Sequence, residues 1–474
     1  MNGRRTSQTI HTIPLANRWN PAGRIGSGPL YRAIADVIAS DIANGQLRAG
    51  DRLPTHRALA GALGIDLTTV TRAYGEARAR GLVDTAVGRG TFVRERVVIP
   101  PAVPAVELDL SMNIPPRPLG IDLQAALSRT MAAVTRRADL LRLLSYQPAG
   151  GALADRAAGA AWLAPVLPGL PAERVLITGG AQAALAALLT ALVRPGRVVL
   201  SGHYTYPGFR AAAAALGLAV RGVAMDADGL CPDALAAASA AGDVDALYLT
   251  PTLHNPTTAT LPLERRQAIV DIARHRGFCI IEDDAYGRLP ENPLPPLAAL
   301  GPDVVWHVAT LAKVLTPGLR LAYVVAPDVA RAAQARTALR AIAQMPPPLS
   351  VATASAWIAD GTAEAILQGV RVEATARQQL AAGLLPPALI SAKVEGHHLW
   401  LTLPPGWTET DFVAAARRAG AALVPGSAFA VGQAGGCHVR VALGAAPDHT
   451  GLSLALENIA EILADGPPHP QEFV

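Results

Sequence analysis

The spacing of apolar positions changes character along the chain, and each change marks an element. From Leu30, the residues Leu30, Ile34, Val37, Ile38 and Ile42 recur at helical spacing. "NGQLRAGDRLP" (44–54) then breaks that helix with Gly and Pro. "THRALAGALG" (55–64) predicts a short helix capped by Thr55 and ended by Gly64. "IDLTTVTRAYGEARARG" (65–81) predicts a third helix, capped by Asp66. Leu67, Val70, Ala73, Tyr74 and Ala77 form its buried stripe, which leaves Thr68, Thr69, Arg72 and Arg80 facing outward. "LVDTAVGRGTFV" (82–93) reads as two short strands around Gly88, Arg89 and Gly90. Further on the pattern becomes one of near-continuous apolar runs separated by Ala/Leu-rich helical stretches. The runs are "RVLIT", "RVVLS", "ALYLTP", "FCIIEDD", "VVWHVAT" and "LAYVVAP". Such runs suit strands buried on both faces, and their alternation with helices predicts a large α/β domain with a mostly parallel sheet.

These patterns divide the chain. Residues 1–27 read as a flexible N-terminal arm, with Arg4 and Arg5 available to phosphates. Residues 28–96 form a small α+β module. Residues 97–115, with Pro100, Pro101 and Pro104, read as a Pro-rich linker. Residues 116–474 form the large module, with a smaller α+β subdomain from about 346 onward. At 474 residues, 51% hydrophobic and 16% charged, the chain has ample material for more than one core.

Charge separates the two modules. Residues 1–97 carry 14 Arg, no Lys and 7 Asp+Glu, a net +7. The whole chain is +4, so the remainder is −3. A basic N-terminal module is a candidate partner for a polyanion. Two short helices, a tight turn and a basic hairpin together read as a winged helix-turn-helix, its second helix suited to the major groove of double-stranded DNA. An ordinary three-helix packing domain is the plainer alternative. Three cysteines (Cys231, Cys279, Cys437) stand far apart with no C-x-x-C pair, which suggests a reducing compartment and no structural metal. "MNGRRTSQTI" lacks an apolar core for a signal peptide, and no run is long enough for a membrane span. A cytoplasmic protein is expected.

In the large module, polar residues gather just after the strand candidates, where α/β sheets bind ligands. "GGAQ" precedes a helix and offers backbone N–H groups to a phosphate. "EDDAY" puts three carboxylates at the end of a buried strand, where each needs a cation or a donor. "TLAK" ends in Lys313. Only Lys313 and Lys393 are lysines; the other 39 of the 41 basic residues are arginine. A phosphate clamp would be served at least as well by arginine. A Schiff base needs a primary amine that can lose its proton. Pyridoxal 5'-phosphate (PLP) asks for all these parts: an amine for its aldehyde, a phosphate cradle with an arginine such as Arg320, and a carboxylate for its ring nitrogen.

Residues 28–94 resemble the DNA-binding domain of the GntR regulators through "LRAGDRLPTHRALAGALGI", "TTVTRAYGEARARGLV" and "GRGTFV". The resemblance implies phosphate or base contacts by Arg52, Thr55, Arg57, Thr69 and Gly90. Thr68, Arg72, Gly88 and Arg89 join them as candidates. The usual Ser-Arg opening of the recognition helix is Asp66-Leu67 here. From about residue 108 the chain resembles fold-type I aminotransferases, and both modules together resemble the MocR/GabR subfamily of GntR regulators. The resemblance implies that "TGGAQAAL" binds phosphate through Gly180, Ala181 and Gln182. It places Tyr206 against the pyridine ring, Asn255 and Tyr286 on the ring hydroxyl, and Asp283 on the ring nitrogen. Thr310 and Arg320 would take the phosphate and Lys313 the aldehyde. Tyr146 would reach a phosphate across a homodimer, and Arg440 would hold an effector's α-carboxylate. Thr258 and Ala312 stand where the family usually has Gly and Ser.

The reading that follows is a PLP-dependent DNA-binding regulator of an operator. It would sense an amino acid or amine through external aldimine formation. A working aminotransferase on a 2-amino acid, or a regulator sensing PLP itself, are the alternatives.

Overall fold

In the computed structural model, residues 19–24, 29–44, 46–48, 50–80, 82–86, 90–93, 108–136, 139–433 and 435–467 are described. The chain divides into two compact units, Met1–Pro104 and Ala105–Val474.

The first unit contains α1 (Leu30–Ala43), α2 (His56–Leu63) and α3 (Leu67–Ala79), followed by an antiparallel hairpin of β1 (Val83–Ala86) and β2 (Gly90–Val93). Thr55 and Asp66 cap α2 and α3, accepting from the backbone N–H of Ala58 and Thr68. Gly64 closes α2 in the left-handed region at φ 64°. Ile34, Ile38, Leu59, Val70 and Tyr74 make the core, and the buried Tyr74 hydroxyl donates to Pro54 O at 2.8 Å. This is the expected winged helix-turn-helix. Residues 19–24, expected in the flexible arm over 1–27, are packed on this unit instead. Trp19 packs on this core. Its Nε1 donates to Asp41 Oδ2 and Arg24 Nη1 donates to Asp41 Oδ1, both at 2.6 Å. Asp41 is buried and draws both donors to itself, because a buried carboxylate must be satisfied. Arg4 and Arg5, the wing-tip residues Gly88 and Arg89, and the linker residues 97–107 lie outside the described residues.

In the second unit, β3 (Leu108–Asp109) comes first. A seven-stranded sheet follows, built from β4 (Val175–Thr178), β5 (Val198–Gly202), β6 (Ala219–Val223), β7 (Val244–Leu249), β8 (Cys279–Asp283), β9 (Val305–Thr310) and β10 (Ala322–Val325). Its order is β4-β10-β9-β8-β7-β5-β6. Only β10 runs antiparallel to its neighbours. All six apolar runs are strands of this sheet. The edge strand β6 has exposed or half-buried residues at four of its five positions, so it lacks the apolar run of the others.

A second, antiparallel sheet has the order β11 (Ile390–Ser391), β12 (His398–Thr402), β15 (His438–Ala442), β14 (Val424–Pro425). Separately, β3 pairs in parallel with β13 (Ala421–Ala422). Residues 108–115, expected in the linker, therefore belong to the second unit. The small subdomain also differs from its expected span. Val351, Trp357, Ile366 and Val370 pack in the core of the large sheet. The small core takes Leu108 and Leu110 together with residues from Ala381 to Ile459. Pro346 therefore marks a chain turn and not the boundary between cores.

Ile280 on β8 is fully buried at the centre of the sheet. Ile280→Ala should lower stability by about 2–5 kcal/mol, the cost of a core cavity. The check is the urea midpoint of the second unit's unfolding transition in the full-length protein.

Candidate functional site

Strand direction gathers the site. Thr178, Thr310 and Asp283 end parallel strands at one edge of the sheet. The reversed β10 pairs Ala322 with both Thr178 and Thr310, so Arg320 arrives at that same edge from the opposite chain direction. A cleft opens there. Nine of the residues expected to bind the cofactor line it: Lys313, Asp283, Tyr286, Asn255, Tyr206, Ala181, Gln182, Thr310 and Arg320.

Gly180 caps the helix Ala181–Leu192 at φ 95°, and a Cβ there would come within 3.2 Å of Arg320 Nη2. Glycine therefore suits the position twice over, in its backbone angle and in its room for the guanidinium. Gln182 Nε2 donates to Gly208 O at 2.7 Å. Gly208 leaves space for the Tyr206 ring, which a Cβ would meet at 2.4 Å. Ala312, where a serine was expected, takes its backbone hydrogen bond from N–H to Thr310 Oγ1 at 3.2 Å. Thr258, where a glycine was expected, sits in the left-handed region at φ 63°. A β-branched residue is strained there, by about 1–3 kcal/mol.

Asp283 is buried, and that burial raises its carboxyl to about 6. Its Oδ2 accepts from the Tyr248 hydroxyl at 2.7 Å, and Tyr248 in turn stacks on Phe209 at 4.0 Å. Its Oδ1 has no partner. Lys313 is shifted down to about 8, first by burial and then by the positive charge of Arg440 and Arg320. Its Nζ donates to Asn113 O, and its own carbonyl accepts from His397 Nε2 at 2.7 Å. Asn113 Nδ2 donates to the Tyr286 hydroxyl at 2.9 Å.

Arg440 is buried beside the cleft, with its guanidinium 4.9 Å from the Phe429 ring. Its Nη1 donates to Asn255 Oδ1 at 2.9 Å, its Nη2 donates to Ser111 O, and its Nε is unpartnered. Tyr146 is elsewhere: it is 83% exposed and does not line the cleft of its own chain. Lys393 is exposed, as a solvated surface lysine should be. Among the described residues, no group of three or more His, Cys, Asp or Glu could hold a metal ion, and no helix is long and apolar enough to cross a membrane.

Four residues of this surround were not anticipated from sequence: Asn113, Tyr248, His397 and His398. Asn113 and His398 come from distant segments to meet Tyr286 and each other, so no local motif marks them.

The residues fit PLP. The orphaned Oδ1 of a buried carboxylate suits a ring N–H, and the lowered lysine suits an aldehyde. The helix N-terminus at Ala181 with Thr310 and Arg320 suits a phosphate.

In the first unit, Arg52 and Gly90 act as one feature. Arg52 bridges Phe92 across the wing. Gly90, at φ 116°, leaves the space that a Cβ would close to 2.8 Å from Arg52 Nε. Arg57 is exposed and Thr69 is half-buried. The hydroxyls of Thr55 and Thr68 are engaged locally, Thr55 accepting from Ala58 N and Thr68 donating to Asp66 Oδ1 at 2.6 Å. Arg72 lies over the Tyr31 ring at 4.3 Å, and Arg80 is paired with Asp36 and Glu76.

Comparison with known proteins follows the same division. Residues 107–459 match the model of aminotransferase class I and II, and residues 30–93 match that of bacterial regulatory proteins, gntR family. The HTH-type transcriptional regulator YdeF of Bacillus subtilis is 29% identical over 87% of this chain and 90% of its own length. The vitamin B6 salvage pathway transcriptional repressor PtsJ of Salmonella typhimurium is 30% identical over 85% of this chain and 92% of its own. An archaeal alanine:glyoxylate aminotransferase structure superposes with a TM-score of 0.70 at 26% identity, over 76% of this chain and 91% of that one.

Two outcomes are expected. The rate of PLP loading, followed by its visible band, should rise about tenfold between about pH 7 and pH 9, as an amine that titrates near 8 becomes free. Gly90→Val should weaken binding to double-stranded DNA at least about tenfold in a fluorescence anisotropy titration, because it displaces Arg52.

Proposed function

We infer that this chain, which belongs to the aminotransferase class I and II family and carries a bacterial gntR-family module, reads the occupancy of its cofactor site as a signal for binding DNA. It is a DNA-binding transcriptional regulator, and its cofactor is PLP. The single observation that carries the sensing role is Lys313: a half-buried, down-shifted primary amine facing Asp283 in a chain whose one other lysine, Lys393, lies exposed at the surface.

When bound, PLP supplies an aldehyde that condenses reversibly with primary amines. The remaining work falls to the protein's own residues. Asp283 would hold the proton on the ring nitrogen, with Tyr248 keeping that carboxylate aimed. Tyr206 would cover one face of the ring. Gly180, Ala181 and Gln182 would turn backbone N–H groups to the phosphate, and Thr310 and Arg320 would add a hydroxyl and a charge. Asn255 and Tyr286 would reach the ring hydroxyl. Lys313 would give up a proton at Nζ to bond the cofactor, and would regain a free amine when an effector's amine takes its place. Arg440 would hold the effector's carboxylate, which favours an amino acid over a simple amine. Exchange at Lys313 alters the contacts inside the site. Any shift toward or away from the DNA-binding state is limited by the effector's differential affinity for the two states.

The wing and recognition helix would meet a double-stranded operator through Arg52, Arg57, Thr69 and Gly90. A protein that works on an operator would act in the cytoplasm. Exposed Leu141 and Leu144 beside Tyr146 support a homodimer, in which Tyr146 would reach the neighbouring copy's phosphate. A second reading, in which PLP itself is the signal, draws support from PtsJ, a vitamin B6 salvage repressor similar along most of its length.

Lys313→Ala should abolish the covalent visible band and any change in DNA affinity on adding amino acids. A variant that still answered amino acids as the wild type does would contradict the sensing role of Lys313. Arg440→Ala should keep the band and raise the concentration of amino acid needed for a response by about tenfold or more, the loss of a buried charge-assisted pair.

A further inference from the structure

Residues 108–115 are the first described stretch after the connection from the N-terminal unit. Their start is fastened to the small subdomain. Leu108 N–H donates to Gly420 O at 3.0 Å, and Leu110 O accepts from Ala442 N–H at 2.9 Å. Their far end is fastened to the cofactor site. Ser111 O accepts from Arg440 Nη2, and Asn113 O accepts from Lys313 Nζ. The Asn113 side chain is buried and adds a third tie. Its Nδ2 donates to the Tyr286 hydroxyl at 2.9 Å and to His398 Nδ1 at 3.1 Å. Burial keeps His398 neutral, so Nδ1 can accept while Nε2–H faces His254 O at 3.3 Å.

We propose that Asn113 is a positioning residue that strengthens the Tyr286 phenol as a donor and, through its carbonyl, ties the 108–115 segment to the chemical state of Lys313. The proposal rests on the PLP reading above.

Two arguments carry it. The first concerns the carbonyl. A free lysine amine has N–H groups to spare for Asn113 O. When that nitrogen condenses with an aldehyde, a carbon–nitrogen double bond forms and water leaves. The nitrogen then keeps at most one N–H, which the adjacent ring hydroxyl oxygen would take up, so Asn113 O would lose its donor. An incoming amine that takes the aldehyde carbon frees Lys313 again, and the tie re-forms. The segment leading back to the DNA-binding unit is thus held or let go according to what Lys313 is bonded to.

The second argument concerns the phenol. Tyr286 accepts from Asn113, and accepting a hydrogen bond makes its own O–H a stronger donor. A stronger donor beside the ring hydroxyl steadies negative charge on that oxygen. The nitrogen of bound Lys313 then releases its proton at lower pH.

The test uses full-length protein and PLP as the probe. In a pH titration of the visible band, Asn113→Ala should raise the apparent pKa of the PLP-loaded protein by about half a unit to one unit, the contribution of one hydrogen bond. A residue acting only in folding would leave that value unchanged, and an unchanged value overturns the proposal. Hydrogen exchange supplies a readout that survives if Asn113→Ala folds poorly. Without PLP, the peptide spanning 108–116 should exchange about threefold or more faster in Lys313→Ala than in wild type. Adding PLP to wild type should move it toward the variant's rate. Equal rates in the two proteins without PLP would overturn the tie. A wild-type protein that forms no visible band would instead overturn the cofactor reading beneath it, so the two failures are distinguishable.

Discussion

A buried negative charge with one oxygen left over is the constraint on which the site depends. Asp283 ends the central strand β8 with Tyr248 on one oxygen and nothing on the other. Such a group is costly unless a cation or donor meets it. The rest of the site is arranged around that need. Parallel strands deliver Asp283 and Thr310 to one edge, and a single reversed strand delivers Arg320 to the same edge. Burial that raises Asp283 also lowers Lys313, so the two move toward each other on the pH scale. A ring that carries a proton at one end and an aldehyde at the other fits between them.

Much of this was legible in the sequence, and the physical reasons differ by element. Six strands of the large sheet, the edge strand β4 among them, announced themselves because burial on both faces demands unbroken apolarity. The edge strand β6 has a half-exposed face and so carried no such run. Lys313 stood out through composition. Asp283 stood out as the end of an apolar strand, Asn255 in the turn after one, and Arg320 through its place seven residues after Lys313. Asn113 and His398 did not stand out: each gains its meaning from a partner far away in the chain, which spacing cannot reveal. The Pro-rich region hid a second surprise. Prolines suggested a linker through 115, yet β3 pairs with β13 and draws 108–115 into the second unit.

The N-terminal unit shows the same limits. Its helices were readable from caps and stripes, since Thr55, Gly64 and Asp66 each perform the local task their chemistry suits, though Leu67, expected in the buried stripe of α3, is exposed. The docking of Trp19 and Arg24 on Asp41 was not readable, because it depends on one buried carboxylate across the fold. The local partners of Thr68 and Arg72 were equally invisible. The residues most open to a nucleic acid are accordingly a subset of those that face outward in a helical projection.

The central claim is that the PLP site signals and does not turn over. The most direct measurement follows the visible band of PLP-loaded, full-length protein while amino acids are added one at a time, with keto acid assayed in the same samples. The account predicts a stable spectral shift that reverses on dialysis, with no keto acid beyond the amount of protein present. Multiple equivalents of keto acid per protein would contradict it and make the chain a working aminotransferase.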